Sequence, residues 1–199
     1  MKNNIYSKIK IAVVFLGIVA VALVIYLVIE IRKVDRNIKL EAQSNDYAFP
    51  SPGMTPDNKL YKLKVLRNKI AGKMIIGYVK KVEFDLLMAD KTIYASKLLM
   101  EKGNVALSKE TALKGENYYS MLVQDYNKAL LSHEQIPSWL DRKITLAAAK
   151  HQEVFKRLED TAAGGDKETF QIVNQFSKTN YEFIERLRNP KNYEELFTN

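Results

Sequence analysis

The chain has 199 residues, a formal net charge of +8 and no cysteine. The lack of cysteine excludes disulfides, thiolate metal sites and cysteine nucleophiles. Glycine and proline are few, with eight and five residues, and the many Ala, Leu, Lys and Glu residues favour helix.

Residues 11–29, IAVVFLGIVAVALVIYLVI, form the first predicted element. These 19 residues carry no charge, and a helix of this length spans roughly 28 Å, close to the hydrocarbon thickness of a bilayer. A cleaved signal peptide has a shorter apolar core and a small-residue cleavage site, whereas EIRKVDR follows here. A buried core helix rarely runs so long without a polar face. The segment is therefore predicted to be an uncleaved transmembrane anchor.

The charges on the two sides of this span bear on its orientation. Residues 1–10 form a short N-terminal tail with three lysines and no acid, as in a signal anchor. The span is followed by four positive residues within 30–39, so the two sides nearly balance under the positive-inside rule. We expect a single-pass protein of the cell membrane, with a cytoplasmic N-terminus and an extracytoplasmic C-terminal domain.

Residues 30–56 are predicted to be a stalk followed by a proline-rich segment. Prolines stand at positions 50, 52 and 56. Because proline lacks an amide donor and drives its predecessor towards extended backbone, helix cannot continue through FPSPGMTP. Pro56 suits the first turn of a new helix with Thr55 as its cap. If Tyr47 and Phe49 fold back onto the helices that follow, the segment is an ordered clasp rather than a free linker.

Residues 57–188 are predicted to form a helical bundle. Helices are expected at about 57–71, 78–102, 108–132, from 138, and 166–188, since apolar residues recur there every three or four positions. Gly115 within an apolar stripe predicts a close helix crossing, and Ser138 with Asp141 resembles a capping box. No alternating run predicts a strand. The fold class is thus all-α: one N-terminal transmembrane helix, then an antiparallel bundle of four to five helices joined by short loops, with 189–199 as a C-terminal tail.

Asp90 is the most unusual residue of this pattern. It falls on or beside the apolar stripe of the second bundle helix, one heptad after Glu83, where an unpaired charge is costly. We expect a structural carboxylate bonded to a Tyr hydroxyl or a Lys of the first or third helix; the alternative is a binding site in the bundle. His151 lies on another apolar stripe and is expected to be a hydrogen-bonded core histidine, with a metal ligand as the alternative.

No motif for a cofactor is present. The chain lacks a phosphate-binding glycine loop and the His-Glu-x-x-His zinc motif, so no catalytic residue, cofactor or metal is predicted.

The positive charge is concentrated in the first part of the domain. Residues 59–102 hold 11 Lys and Arg against 4 Asp and Glu, a net of 11 − 4 = +7, whereas residues 103–199 hold 13 against 14, a net of −1. Contacts with an anionic lipid or wall polymer are expected for Lys62, Lys64, Arg67, Lys69, Lys73, Lys80 and Lys81. A solvated lysine face is the alternative. Nucleic acid is not an expected partner, because no motif for it occurs.

Three stretches of the chain carry a family resemblance. They are FPSPGMTPDNKLYKLKVLRNKI, VKKVEFDLLMADKTIYASKLLMEKG and ALSKETALKGENYY. Together they resemble the bacterial domain-of-unknown-function family numbered 5667 over roughly residues 47–125. The matching positions are Pro52, Gly53, Asp57, Leu60, Tyr61, Leu63 and Lys64, then Lys80, Glu83, Leu86, Ala89, Asp90 and Lys91. The resemblance implies a surface-exposed helical domain on a membrane anchor, and it implies no activity.

These observations predict a membrane-anchored extracytoplasmic module that binds or scaffolds at the cell envelope and is not an enzyme. The expected partners are the membrane together with an envelope protein, an anionic lipid or a wall polymer. One alternative is an envelope-stress sensor, for which the cytoplasmic tail of 1–10 is short. The other is a metal- or ligand-binding bundle that uses carboxylates around Asp90.

Overall fold

The computed structural model describes residues 47–189 and eight residues between positions 17 and 29, namely 17–19, 21, 22, 25, 26 and 29. The chain divides into two units, Met1–Ile38 and Lys39–Asn199, and the fold below is that of the second. Among the described residues, no helix has the length and apolar character needed to cross a membrane. Most of the predicted anchor at 11–29 lies outside the described residues, as do the predicted stalk at 30–45 and nearly all of the predicted tail.

Five helices occupy residues 47–189, and this part of the chain contains no strand, which confirms the all-α class. They are α1 (Tyr61–Met74), α2 (Tyr78–Glu101), α3 (Val105–Leu131), α4 (Ser138–Thr161) and α5 (Gly164–Arg188). Helices α2 to α5 form a four-helix bundle in which α2 and α5 each pack against both α3 and α4. Apolar side chains from all four helices and from Tyr47 share one core.

Helices α3 and α4 follow each other in the chain, yet they are not among the helix pairs in extensive contact. A loop of six residues, 132–137, joins them and can reach about 20 Å, so a short loop here does not imply neighbouring helices. Within this loop Glu134 accepts hydrogen bonds from the backbone amides of Tyr78 (3.1 Å) and Val79 (3.0 Å). A carboxylate at a helix N-terminus is favourable, and these two bonds lower the pKa of Glu134.

The close crossing predicted at Gly115 is present between α2 and α3. A Cβ atom added to Gly115 would lie 2.5 Å from Cγ1 and 3.1 Å from the backbone nitrogen of Ile93. Further along the same interface, the hydroxyls of Ser96 and Ser108 each donate to the other residue's carbonyl oxygen, both at 2.8 Å. Small residues therefore allow the two backbones to approach.

The predicted start of the first helix is wrong by four residues, because α1 begins at Tyr61. The chain first makes turns, in which the amide of Asn58 donates to the Thr55 carbonyl (2.9 Å) and that of Tyr61 donates to the Asn58 carbonyl (3.0 Å). The Thr55 hydroxyl donates to the Asp57 carboxylate and does not cap the helix. Side-chain bonding to nearby groups competes here with a helical first turn.

The predicted starts of α3 and α5 also differ, since α5 begins at Gly164 instead of residue 166, whereas α4 begins at Ser138 as predicted. Helix α3 begins at Val105 rather than Ser108, since the side chain of Asn104 accepts from the Leu107 amide at 3.3 Å. Helix α4 begins at Ser138 without a side-chain cap. Asp141 forms no capping box there; it accepts from the Tyr126 hydroxyl and from Nε of Arg188, both at 2.9 Å.

Candidate functional site

Residues 47–56, called the clasp below, are ordered against the bundle. Tyr47 is only 7% exposed, and its hydroxyl donates to Oδ2 of Asp90. The ring of Phe49 stacks on the ring of His151, with centroids 5.8 Å apart and an interplanar angle of 6°. It also stacks on Tyr94 at 5.7 Å and 14°. The clasp is therefore part of the folded domain and not a free linker.

Asp90 joins the clasp to the bundle. Its second oxygen, Oδ1, lies 2.7 Å from Nε2 of His151 on α4, and both side chains are fully buried. A buried carboxylate is tolerated when it is hydrogen-bonded, and here it has two partners. Tyr47, Asp90 and His151 are called the Asp90 network below. A tyrosine hydroxyl was expected as a partner, but it comes from the clasp instead of from the first or third helix.

A buried cation lies next to this network. Lys143 of α4 is 1% exposed, and its Nζ atom lies 5.7 Å from the centroid of the Tyr47 ring. A cation over an aromatic face is more stabilising when both groups are removed from water. Lys143 was not identified from the sequence, although it stands three residues after Leu140 and four before Ala147, at the spacing of the apolar stripe of α4.

Two polar residues of α3 extend the buried polar region towards α5. The ring of Tyr119 meets His151 edge-on, with centroids 5.3 Å apart, and burial raises the pKa of its hydroxyl. Burial also raises the pKa of Glu116 to about 6, against the opposing effect of a hydrogen bond from Asn180, whose Nδ2 lies 2.7 Å from the carboxylate. Within residues 47–189, Tyr119 Oη and His151 Nδ1 are buried without a hydrogen-bond partner.

The centre of this region is closed to solvent. Asp90, Tyr119 and His151 are each 0% exposed. Among the described residues, no group of three or more His, Asp or Glu side chains is arranged to hold a metal ion. Glu83 is bound to Lys80 at 2.9 Å and stands seven residues from Asp90, about 10 Å along the helix. The two predicted carboxylates thus do not share a site.

The structure separates the seven predicted cationic contacts into two groups. Lys62, Lys69 and Lys73 of α1 form the first group and are exposed; Lys80 of the second group is exposed as well. The others, Lys64, Arg67, Lys80 and Lys81, contact groups of the protein itself: the carbonyls of Pro52 and Met54, the side chain of Asn68, the carboxylate of Glu83 and the ring of Tyr78 respectively. Burial, with Lys91 and Arg67 nearby, lowers the pKa of Lys64 to about 8.

Large apolar side chains are exposed mainly around α1. Seven of the twelve exposed large hydrophobic residues within 47–189 lie between positions 54 and 76. They are Met54 (40%), Leu60 (56%), Leu63 (62%), Leu66 (56%), Ile70 (39%), Met74 (48%) and Ile76 (91%). Single exposed hydrophobic residues are ordinary, whereas a concentration of them is typical of surfaces that contact a partner or a membrane, and this makes the region the candidate site. The six of these side chains that lie within residues 60–76 are called the α1 face below.

The opposite side of α1 holds it on the bundle through small residues. Ala71 is buried, and a Cβ atom on Gly72 would lie 3.1 Å from the ring of Phe84. The side-chain amide of Asn68 donates to the sulfur of Met88 at 3.3 Å. The hydrophobic core of the described residues includes no side chain of α1. Because α1 contacts the bundle through Asn68, Ala71 and Gly72, its leucines lie on the side of the helix that faces away from the bundle.

No protein-family model matches the chain, and no curated protein or solved structure matches it either. The resemblance to family 5667 therefore stays a prediction.

Proposed function

We propose that this protein is a membrane-anchored binding or scaffolding module at the cell envelope, in which residues 11–29 are the anchor and the α1 face is the binding surface. The observation that carries the proposal is the concentration of exposed apolar side chains on one helix of an otherwise well-packed bundle. The anchor is supported by 19 uncharged residues in sequence, a length that suits a bilayer.

An enzymatic function receives less support from the buried polar groups. Catalytic groups must meet a substrate, usually in a cleft that is largely formed in advance. Asp90 and His151 are completely buried and bonded to each other. Their arrangement suits a structural contact between helices. The exposed surface that we propose to be functional, the α1 face, is apolar and has lysines beside it.

The anchor is tested by fractionating cells that produce the full chain. We expect the protein in the membrane pellet after alkaline carbonate extraction. The double variant Ala20→Arg/Leu23→Arg places two cations in the middle of the span, at a cost of about 3 kcal/mol each, and is expected to move the protein into the supernatant. Wild-type protein that is fully extracted by carbonate would contradict the anchor. A C-terminal tag lost when protease is added to intact cells supports the extracytoplasmic orientation, and protection until lysis contradicts it.

The binding surface is tested by photo-crosslinking in cells. A photoreactive amino acid replaces Leu66 of α1 in one strain and Leu113 of α3 in the control strain; these leucines are 56% and 47% exposed. We expect protein or lipid adducts at position 66 well above those at position 113. Equal labelling at the two positions would show that the α1 face is ordinary solvated surface.

A further inference from the structure

We infer that the partner of the α1 face is an anionic lipid surface, with α1 lying in the plane of the bilayer interface. This inference rests on the proposed function and names the partner of the same surface. It draws on three observations: the angular position of the exposed apolar residues, the position of the exposed lysines beside them, and the absence of acids from this stretch.

The apolar side chains of α1 form one continuous stripe. Leu63, Leu66, Ile70 and Met74 follow one another at intervals of three, four and four residues. At about 100° per residue these positions lie within an arc of about 80° on the helix surface. All four are exposed, so the stripe faces away from the bundle along the whole length of the helix. Ile76, which is 91% exposed, follows it in the turn before α2.

Three exposed lysines run along one edge of this stripe. Lys62, Lys69 and Lys73 are spaced by seven and four residues, which places them within an arc of about 40°. Lys73 is rotated by only about 20° from Leu66. A helix with an apolar stripe and adjacent lysines is the pattern of interfacial helices, whose apolar side enters the acyl boundary while the cations remain among the headgroups.

The charge of this stretch selects an anionic partner. Residues 58–82 contain eight Lys and Arg residues and no Asp or Glu. A second copy of the chain would bring the same cations against each other, and like charges facing each other across an interface oppose association. Each Lys near an anionic membrane contributes about 1 kcal/mol of attraction.

The anchor would also keep α1 near lipid. The 17 residues of 30–46 separate the predicted span from the described domain and reach at most about 60 Å when extended. Binding of α1 to the same bilayer then needs no encounter from bulk solution, because tethering supplies a high effective concentration.

The lack of native cysteine makes a site-specific test direct. Full-length Leu66→Cys and the matched control Leu113→Cys are each labelled with an environment-sensitive fluorophore. Each is reconstituted into neutral phosphatidylcholine vesicles, or into vesicles that also contain phosphatidylglycerol. Headgroup-linked quenchers then report contact with lipid. We expect quenching at position 66, several-fold greater than at position 113, and only in the anionic vesicles.

Charge variants separate electrostatic attraction from apolar contact. In the Leu66→Cys background, Lys62→Gln/Lys69→Gln/Lys73→Gln is expected to abolish the difference between anionic and neutral vesicles. The control Lys114→Gln/Lys167→Gln/Lys178→Gln removes the same number of exposed lysines elsewhere and is expected to preserve it. Circular dichroism of every variant verifies that the helices are intact.

The outcomes distinguish this inference from the proposed function. If the protein floats with the vesicles but the label on position 66 is no more quenched than that on 113, the anchor stands and the lipid inference is overturned. A different result is quenching of the label on position 66 that requires a second labelled copy of the protein and disappears when the protein is diluted in lipid. That result would assign the α1 face to self-association. If the protein does not float with vesicles of either composition, the anchor and the inference both fail.

Discussion

Nε2 of His151 lies 2.7 Å from Oδ1 of Asp90, and neither side chain is exposed to solvent. Because the other oxygen of Asp90 accepts the hydroxyl proton of Tyr47, one carboxylate joins three segments that are distant in sequence: the clasp, α2 and α4. Hydrogen bonds in a buried network are strong, and removal of one member leaves the others without partners. Loss of a member of the Asp90 network is therefore expected to lower the free energy of unfolding of the domain.

Replacement of Asp90 by alanine tests this role. Asp90→Ala leaves the Tyr47 hydroxyl and one ring nitrogen of His151 buried without an acceptor, at about 1–3 kcal/mol each. We expect the free energy of unfolding to fall by about 2–5 kcal/mol, measured by urea titration followed by circular dichroism. The control Asp160→Ala removes an exposed carboxylate of α4 and should change stability by less than about 0.5 kcal/mol. An unchanged midpoint of the urea transition for Asp90→Ala would contradict the structural role.

The hydroxyl of Tyr47 is expected to hold the clasp closed. Tyr47→Phe removes the hydroxyl that donates to Asp90 while the ring stays, so the expected loss is about 1–2 kcal/mol. Tyr47 attaches the N-terminal end of the clasp to the bundle. Because the variant should release the clasp more often, we also expect faster protease cleavage within 50–56, measured by mass spectrometry of timed digests. Tyr94→Phe is the matched control, since that hydroxyl makes no hydrogen bond within the described part of the chain. Equal cleavage rates in the two variants would show that the Tyr47 hydroxyl is not needed to hold the clasp, whose other contacts include the Phe49 ring and the bonds from Lys64 to the carbonyls of Pro52 and Met54.

The helical architecture was largely predictable because its local signals agree with the final packing. The end of α2 was predicted within one residue, at the Gly103–Asn104 stop, and the crossing at Gly115 was predicted from its position in a stripe. The start of α1 was not predictable in the same way. Pro56 and Thr55 supply a good local start signal, yet Thr55 bonds to Asp57, and the chain turns twice more before the helix begins.

The candidate site was predicted only in part because its decisive contacts join distant residues. The cost of burying Asp90 follows from the stripe alone, but its partners stand 43 and 61 residues away. Apolar residues on α1 would ordinarily be assigned to a core. Their exposure depends on Ala71 and Gly72 contacting the bundle instead, and periodicity does not reveal which side of a helix its neighbours cover.

The close packing at Gly115 leads to a steric prediction. In Gly115→Ala the new methyl group would lie 2.5 Å from Cγ1 of Ile93, so the helices must separate or the isoleucine must move. We expect a loss of about 1–3 kcal/mol from overpacking, despite a gain of about 1 kcal/mol in helix propensity. Adding Ile93→Ala should make the effect of Gly115→Ala smaller, as a double-mutant cycle measures.

Gly165→Ala is the control for this glycine. A Cβ atom on Gly165 meets no atom within 4 Å, and the residue lies in the first turn of α5. This substitution should be neutral or stabilising by a few tenths of a kcal/mol. If Gly115→Ala behaved in the same way, the two helices would not be in tight contact at this crossing.

Asp85 gives the domain a predicted dependence on pH. It is 3% exposed on α2, and burial together with the nearby carboxylate of Asp125 raises its pKa to about 7, against the opposing charges of Lys81 and Lys128. Because the unfolded pKa is near 3.8, the folded state binds more protons between these values. Stability is then highest below about pH 4 for this group and falls as the pH rises towards 7.

Asp85→Asn should remove this contribution. The amide cannot ionise, so we expect the variant to be more stable than the wild type at pH 8, by on the order of 2–4 kcal/mol, and nearly equal to it at pH 4. Urea unfolding measured across this pH range gives both curves. Glu116, whose pKa burial raises to about 6, gives a slope of the same sign that remains in the variant, so the difference between the two curves isolates Asp85. Parallel curves for wild type and Asp85→Asn would mean that Asp85 is ionised in the fold at little cost.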